Sequence, residues 1–199
     1  MEGVDRDTLP AGAPDEDQEM ELHQAAIIIC EATVSFCERF IVRRSRTVAQ
    51  MVDASRGAMR YIAEGRRTMA VSLPAGFPLF RAARIRLEEL FIYYQDFLRL
   101  RGLAEWGEDH PQARAIRKLA CRSARSFGVY RTFVQSSPPE TAANALVGLI
   151  RQALGLLVRQ LEQLDADHPA AHGCGAESTP FGCEAQPASG APENEPGQS

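Results

Sequence analysis

Apolar residues return at helical spacing, and never in strand-like alternation, across about 145 consecutive residues of this 199-residue chain. That pattern restricts the chain to an all-α fold. The first predicted helix runs from about Met20 to Ile41. Leu22, Ala26, Ile29, Thr33, Phe36 and Phe40 form one stripe, and Cys30, Val34, Cys37 and Ile41 a second beside it. The next spans about Ser45 to Glu64 with Val48, Val52, Ser55, Met59 and Ile62 facing inward, and Gly65 reads as its stop. Pro74, Gly76 and Pro78 break the chain before a third helix over about Leu79 to Arg101. There Ala83, Leu87, Leu90, Tyr94 and Phe97 point inward, and Gly102 ends the run.

Asp109 and Pro111 form a helix-start pair for a fourth helix over about Pro111 to Val134, with Ile116, Ala120, Ser123, Phe127, Tyr130 and Val134 inward. Ser137-Pro138-Pro139-Glu140 reads as a capping box that opens a fifth, reaching about Leu164. Leu146, Ile150, Ala153, Leu157, Leu161 and Leu164 line its core face. Val147, Leu149, Leu154, Leu156 and Val158 widen its apolar surface beyond one stripe, which asks for a second packing partner. Self-association is one solution; a central position among the other helices is the other.

Charge is unevenly placed. Residues 1–22 hold eight acids against the single base Arg6, and residues 165–199 hold six acids and no base. Of the chain's 22 bases and 26 acids, this leaves 21 bases and 12 acids in residues 23–164, all but Lys118 of those bases being arginine. Both ends are poor in large apolar residues and read as disordered. The expected organisation is an acidic tail over residues 1–20, a helical bundle over 21–135, a C-terminal helix over 136–165 and a second tail over 166–199. No uninterrupted apolar run of 18 residues occurs, and the acidic start is unlike a secretory signal, so neither a membrane span nor export is expected. Five cysteines, an odd number, fit reduced thiols in a cytoplasm.

The residues give no catalytic constellation. No Gly-rich phosphate loop is present, and no histidine lies between Gln24 and Asp109. His168, His172, Cys174 and Cys183 are zinc-ligand types, but they lack the close cysteine pair of a zinc site and read as a non-binding tail. No metal, cofactor or enzymatic activity is therefore expected. What remains is arginine on helix faces. Arg46, Asp53, Arg60 and Arg67 recur every seven residues, and the fourth helix adds Arg114, Lys118, Arg122 and Arg125 with no acid among them. A guanidinium is always charged and gives phosphate two parallel hydrogen bonds, so Arg46, Arg60, Arg67, Arg114, Lys118, Arg122 and Arg125 are the expected nucleic-acid contacts. Contacts of that kind read backbone and shape rather than bases.

Several segments also resemble a known family. Phe36-Cys37-Glu38-Arg39-Phe40, the run from Arg44 to Val52, and Ile62-Ala63-Glu64-Gly65 are similar to bacterial four-helix-bundle proteins, which include the protein encoded in intervening sequences of 23S ribosomal RNA genes. Leu87-Glu88-Glu89-Leu90 with Tyr94-Gln95-Asp96-Phe97-Leu98-Arg99 resembles the family's third helix. The runs Pro139 to Leu146 and Leu149 to Ala153 resemble a C-terminal suffix segment found in a subset. Together these cover roughly residues 22–164. Tyr61 departs from the pattern, standing where an asparagine usually precedes the Ile-Ala-Glu-Gly, and the acidic ends are additions.

The resemblance implies an antiparallel up-and-down four-helix bundle with an additional C-terminal helix. It implies no catalytic residues. It also points to relatives such as the accessory determinant of diversity-generating retroelements, a basic pentamer that binds nucleic acid and a reverse transcriptase. The expectation is thus a homo-oligomeric, non-enzymatic binder of nucleic acid, structured RNA before DNA, that serves a nucleic-acid enzyme as an accessory. The alternative is a protein-interaction scaffold docking through the apolar fifth helix.

Overall fold

The structure, a computed structural model, describes residues 16–107, 109–115 and 134–167. Those residues form long helices, and no strand occurs among them. α1 is Glu16–Phe40, α2 is Arg46–Met69, α3 is Leu73–Leu100 and α4 is Pro139–Asp167. Residues 111–115 and 134–136 are also helical. The rest of the predicted fourth helix, the first 15 residues, residue 108 and residues 168–199 lie outside the described residues.

The ends of the helices follow from local chemistry. Ser45 caps α2, its Oγ accepting from the Val48 N–H at 3.3 Å. α3 ends in a Schellman motif: the Gly102 N–H donates to the Arg99 carbonyl, and the Leu103 N–H to the Leu98 carbonyl at 2.9 Å. Gly102 supplies the left-handed backbone this requires, at φ +63. Pro139 is the first residue of α4, as proline's fixed φ favours.

Four boundaries differ from the sequence expectation. α1 starts at Glu16, inside the stretch assigned to a tail, because acids at a helix N-terminus complement its dipole as readily as they solvate a loose end. α2 passes through Gly65 to Met69, since the Phe80 ring packs where a side chain at position 65 would lie. α3 starts at Leu73 rather than Leu79. Pro74 sits in its first turn, where its missing N–H costs nothing, and burial of Phe77 and Phe80 holds Pro78 within the helix. At the other end, α4 runs two residues into the predicted tail.

α1 packs on α2 and α4, and α3 packs on α2 and α4. Across the centre, Phe36 of α1 meets the rings of Tyr94 and Phe97 of α3 edge-on, with centroids 5.0 and 4.8 Å apart. The Tyr94 hydroxyl hydrogen-bonds Thr33 Oγ1 at 3.1 Å, so a fully buried polar pair lies within the apolar centre. The expected inward residues of α1, α3 and α4 are buried, apart from the half-buried Val34, Phe40 and Ile41.

α2 buries two of its five expected residues, Ser55 and Ile62, and turns a neighbouring face inward. Met51, Ala54, Ala58, Ile62 and Met69 are buried, whereas Val48, Val52 and Met59 are only partly covered. The small residues let α3 come close: the Arg86 stem lies against Gly57 and the Phe80 ring against Gly65.

α4 packs against both α1 and α3. Of the five residues that widened its apolar surface, Val147, Leu149 and Leu156 are at most 4% exposed within the single chain, and Leu154 and Val158 are half-buried. Among the described residues it is also the one helix long and apolar enough to cross a membrane by length and composition, although the sequence lacks an uninterrupted apolar run. Of that stretch, 61% is buried against the rest of the chain.

The connection after α3 is fastened to α4 through Asn144. This buried amide accepts from the Trp106 N–H at 2.8 Å and donates to the carbonyls of Ala104 and Glu140. The Trp106 indole N–H donates to the Glu140 carboxylate at 3.1 Å.

Candidate nucleic-acid interface

The arginines divide by what they touch. One group serves the fold. Arg39 donates to the carbonyls of Val134 and Ser137, both at 2.8 Å. Arg101 donates to the Phe40 carbonyl at 2.6 Å, Arg66 pairs with Glu19, and Arg151 pairs with Glu105. Arg86 reaches both Glu89 and Asp53, and that carboxylate hydrogen bond raises its already high pKa. None of these is free to meet an external anion without giving up a contact.

A second group occupies the α1–α2 turn and the outer face of α2. Arg43, Arg44, Arg46, Arg56, Arg60 and Arg67 are exposed, and none has a carboxylate or carbonyl partner among the described residues. Arg60 only lies over the Tyr61 ring, its guanidinium carbon 5.3 Å from the centroid. Arg46, Arg60 and Arg67 share one helix face because a seven-residue interval is close to two turns; they span about 32 Å of helix axis. Asp53 lies on the same face, but Arg86 engages it at 3.6 Å. An acid-free first turn leaves the positive end of the α2 dipole beside Arg43 and Arg44.

The structure thus brings together three of the seven residues expected from sequence, Arg46, Arg60 and Arg67. Arg114 is exposed in the short helical stretch 111–115, and no described contact ties it to the α2 face. Lys118, Arg122 and Arg125 lie outside the described residues, as do His168, His172, Cys174 and Cys183. Among the described residues no group of three or more His, Cys, Asp or Glu could hold a metal.

Arg43, Arg44 and Arg56 were not singled out from sequence. The first two form a dipeptide directly before the Ser45 cap, a signal that was legible; Arg56 lies off the seven-residue stripe and needed the fold to place it. Arg44 has φ 69, a left-handed backbone that a non-glycine residue adopts only under constraint.

The thiols nearby are not poised to react. Burial pushes the Cys37 thiol up to about 12, and burial also raises Cys30 despite the opposing pull of Ser55 and Arg56. No protein family, no curated protein and no solved structure matches the chain.

Proposed function

We propose that this chain is a non-enzymatic nucleic-acid-binding protein, directed to structured RNA before DNA, that meets phosphate through the α1–α2 turn and the outer face of α2. The observation that carries this reading is the segregation of the arginines. Six exposed guanidiniums without partners among the described residues share the α1–α2 turn and α2, and only Arg114 and Arg159 are so placed elsewhere. An ordinary solvated helix face intersperses acids with bases as neighbours. Here six arginines stand against two acids, Asp53, which Arg86 engages, and the exposed Glu64.

The fold reading completes the proposal: α1 to α4 form an antiparallel up-and-down four-helix bundle. It rests on cross-helix pairs. Glu19 near the start of α1 meets Arg66 near the end of α2, Gly57 and Gly65 of α2 lie on Arg86 and Phe80 of α3, and Arg81 of α3 meets Asp165 of α4. Arg39 at the end of α1 reaches Ser137 just before α4. In this arrangement α4 is the fourth bundle helix, and the resemblance of residues 22–164 to the bacterial four-helix-bundle family accords with it. A cytoplasmic homo-oligomer that assists a nucleic-acid enzyme such as a reverse transcriptase is part of the same reading. The alternative reading, a scaffold docking through α4, is left with the half-buried Leu154 and Val158, since Val147, Leu149 and Leu156 face the interior.

The test is fluorescence-anisotropy binding of a structured RNA and a matched DNA duplex across a salt series. Binding should persist near 150 mM salt, favour the RNA, and depend on several charges. Each of Arg46→Glu, Arg60→Glu and Arg67→Glu should weaken binding and lower the salt slope by about one. An unchanged slope in all three variants would remove this face from the reading.

A further inference from the structure

Beside the α1–α2 turn lies a cleft of about 240 Å³ whose two chemistries are separate. Its floor is apolar, formed by Val34 of α1 and by Val48 and Val52 of α2, with the buried Cys37 beneath. Its rim carries Arg43 and Arg44 from the turn and Arg56 from α2, all exposed, against a single carboxylate among the described residues, Glu38. The same valines were expected in the core. Val48 and Val52 are half-covered because α2 turns its small residues to α3, and with Val34 of α1 they leave, among the described residues, an aliphatic floor open under three guanidiniums.

The geometry points to a nucleotide subsite: an unpaired base lies on Val34, Val48 and Val52, and its phosphate is held by Arg43, Arg44 and Arg56. The occupant must be an anion with a flat apolar body attached. A bare phosphate leaves the floor wet, and an uncharged apolar group leaves three cations unmatched. Duplex nucleic acid keeps its bases stacked inside, so it reaches the rim and not the floor. An unpaired nucleotide in a loop or bulge can be turned out, and its exposed face packs on apolar side chains or stacks on arginine planes. The subsite rests on the nucleic-acid reading above and sharpens it, since the α2 stripe offers backbone contacts alone while the cleft distinguishes paired from unpaired nucleotides. The same chemistry occurs in a free mononucleotide, so both sources need a separate arm in the test.

The experiment uses the full chain and two labelled RNA hairpins of equal length, one fully paired and one with a single bulged adenosine. The bulged hairpin should bind about tenfold more tightly at 150 mM salt. Val52→Phe, which fills the cleft, should abolish that preference and leave the paired hairpin unaffected. Arg56→Gln should lower the salt slope for the bulged hairpin by about one. Arg56 is exposed, so this variant keeps the test open should Val52→Phe unfold on a melting curve. AMP should compete for the bulged hairpin where inorganic phosphate does not, and AMP binding with no preference for the bulge would move the subsite to free nucleotides and overturn its place in RNA recognition. Equal binding of both hairpins, still weakened by Arg46→Glu, Arg60→Glu and Arg67→Glu, would overturn the subsite and leave the basic face standing. Failure of either hairpin to bind at 150 mM salt would overturn both.

Discussion

Tyr94 shows how closely the interior is specified at the level of a single atom. Its ring is fully buried, and burial drives its hydroxyl pKa well above the ordinary tyrosine range, so it stays neutral and needs a partner. Thr33 Oγ1 is that partner at 3.1 Å. Removing one member leaves the other buried with an unmet hydrogen bond, which costs the desolvation of that group rather than the modest net value of the bond. Thr33→Val is therefore expected to destabilise the protein by about 1–3 kcal/mol in chemical denaturation. Adding Tyr94→Phe should recover part of that loss. A double variant whose loss equals the sum of the two single losses would mean the hydroxyls are satisfied separately. Sequence periodicity put Thr33 and Tyr94 on inward stripes, but nothing in the sequence said that their oxygens would meet across the core, 61 residues apart.

Among the helices, α1, α3 and α4 were legible because each carries large apolar residues on the face it buries. α2 was legible only in part: Ser55 and Ile62 lie inward as its periodicity predicts, but Met51 and Met69 share the buried face with Ala54, Gly57, Ala58 and Gly65, small residues that carry little hydrophobic signal. Close approach to α3 chose that face over the valines, and closeness is a property of the pair of helices. Gly65 and Gly76 were read as breakers for the same reason. A Cβ at Gly76 would lie 2.2 Å from Met69 Cγ and 3.2 Å from the Gly65 carbonyl oxygen. Gly148 of α4 is exposed with nothing within 4 Å. These two glycines should therefore respond oppositely to the same substitution. Gly76→Ala is expected to lower stability by about 1–3 kcal/mol through overpacking. Gly148→Ala is expected to raise it by about 0.5–1 kcal/mol through better helix propensity. Thermal melts of the two variants check both signs. Stabilisation by Gly76→Ala would show that the α2–α3 corner is loose. The candidate interface was legible to a similar extent: a seven-residue stripe shows in sequence, but the cleft beside it exists only because α2 rotated its valines outward.

At the scale of the molecule, the balance of charge decides how the arginine face meets a polyanion. The chain is −4 at neutral pH, so its far field repels nucleic acid even though the α1–α2 turn and α2 present six exposed guanidiniums. Residues 168–199 contribute four acids and no base, Glu177, Glu184, Glu193 and Glu195. They follow α4, which ends at Asp167, so removing them leaves every described element intact. Carboxylates joined to the same chain compete with phosphate for the guanidiniums at a concentration set by the link, whatever the protein concentration. Truncation after Asp167 should therefore tighten binding to structured RNA. The gain should be severalfold at low salt and shrink as salt rises, because the Debye length falls to about 8 Å at 0.15 M and distant charges are screened. The salt slope should become steeper, since the truncated chain no longer neutralises part of its own face before the phosphates arrive. Equal affinity and equal slope for the two chains at 50 mM salt would mean that these acids act neither as a competitor nor as a long-range field. The arginines of α2 would then be matched to phosphate alone, and the acidic end would have to be explained by a partner of its own.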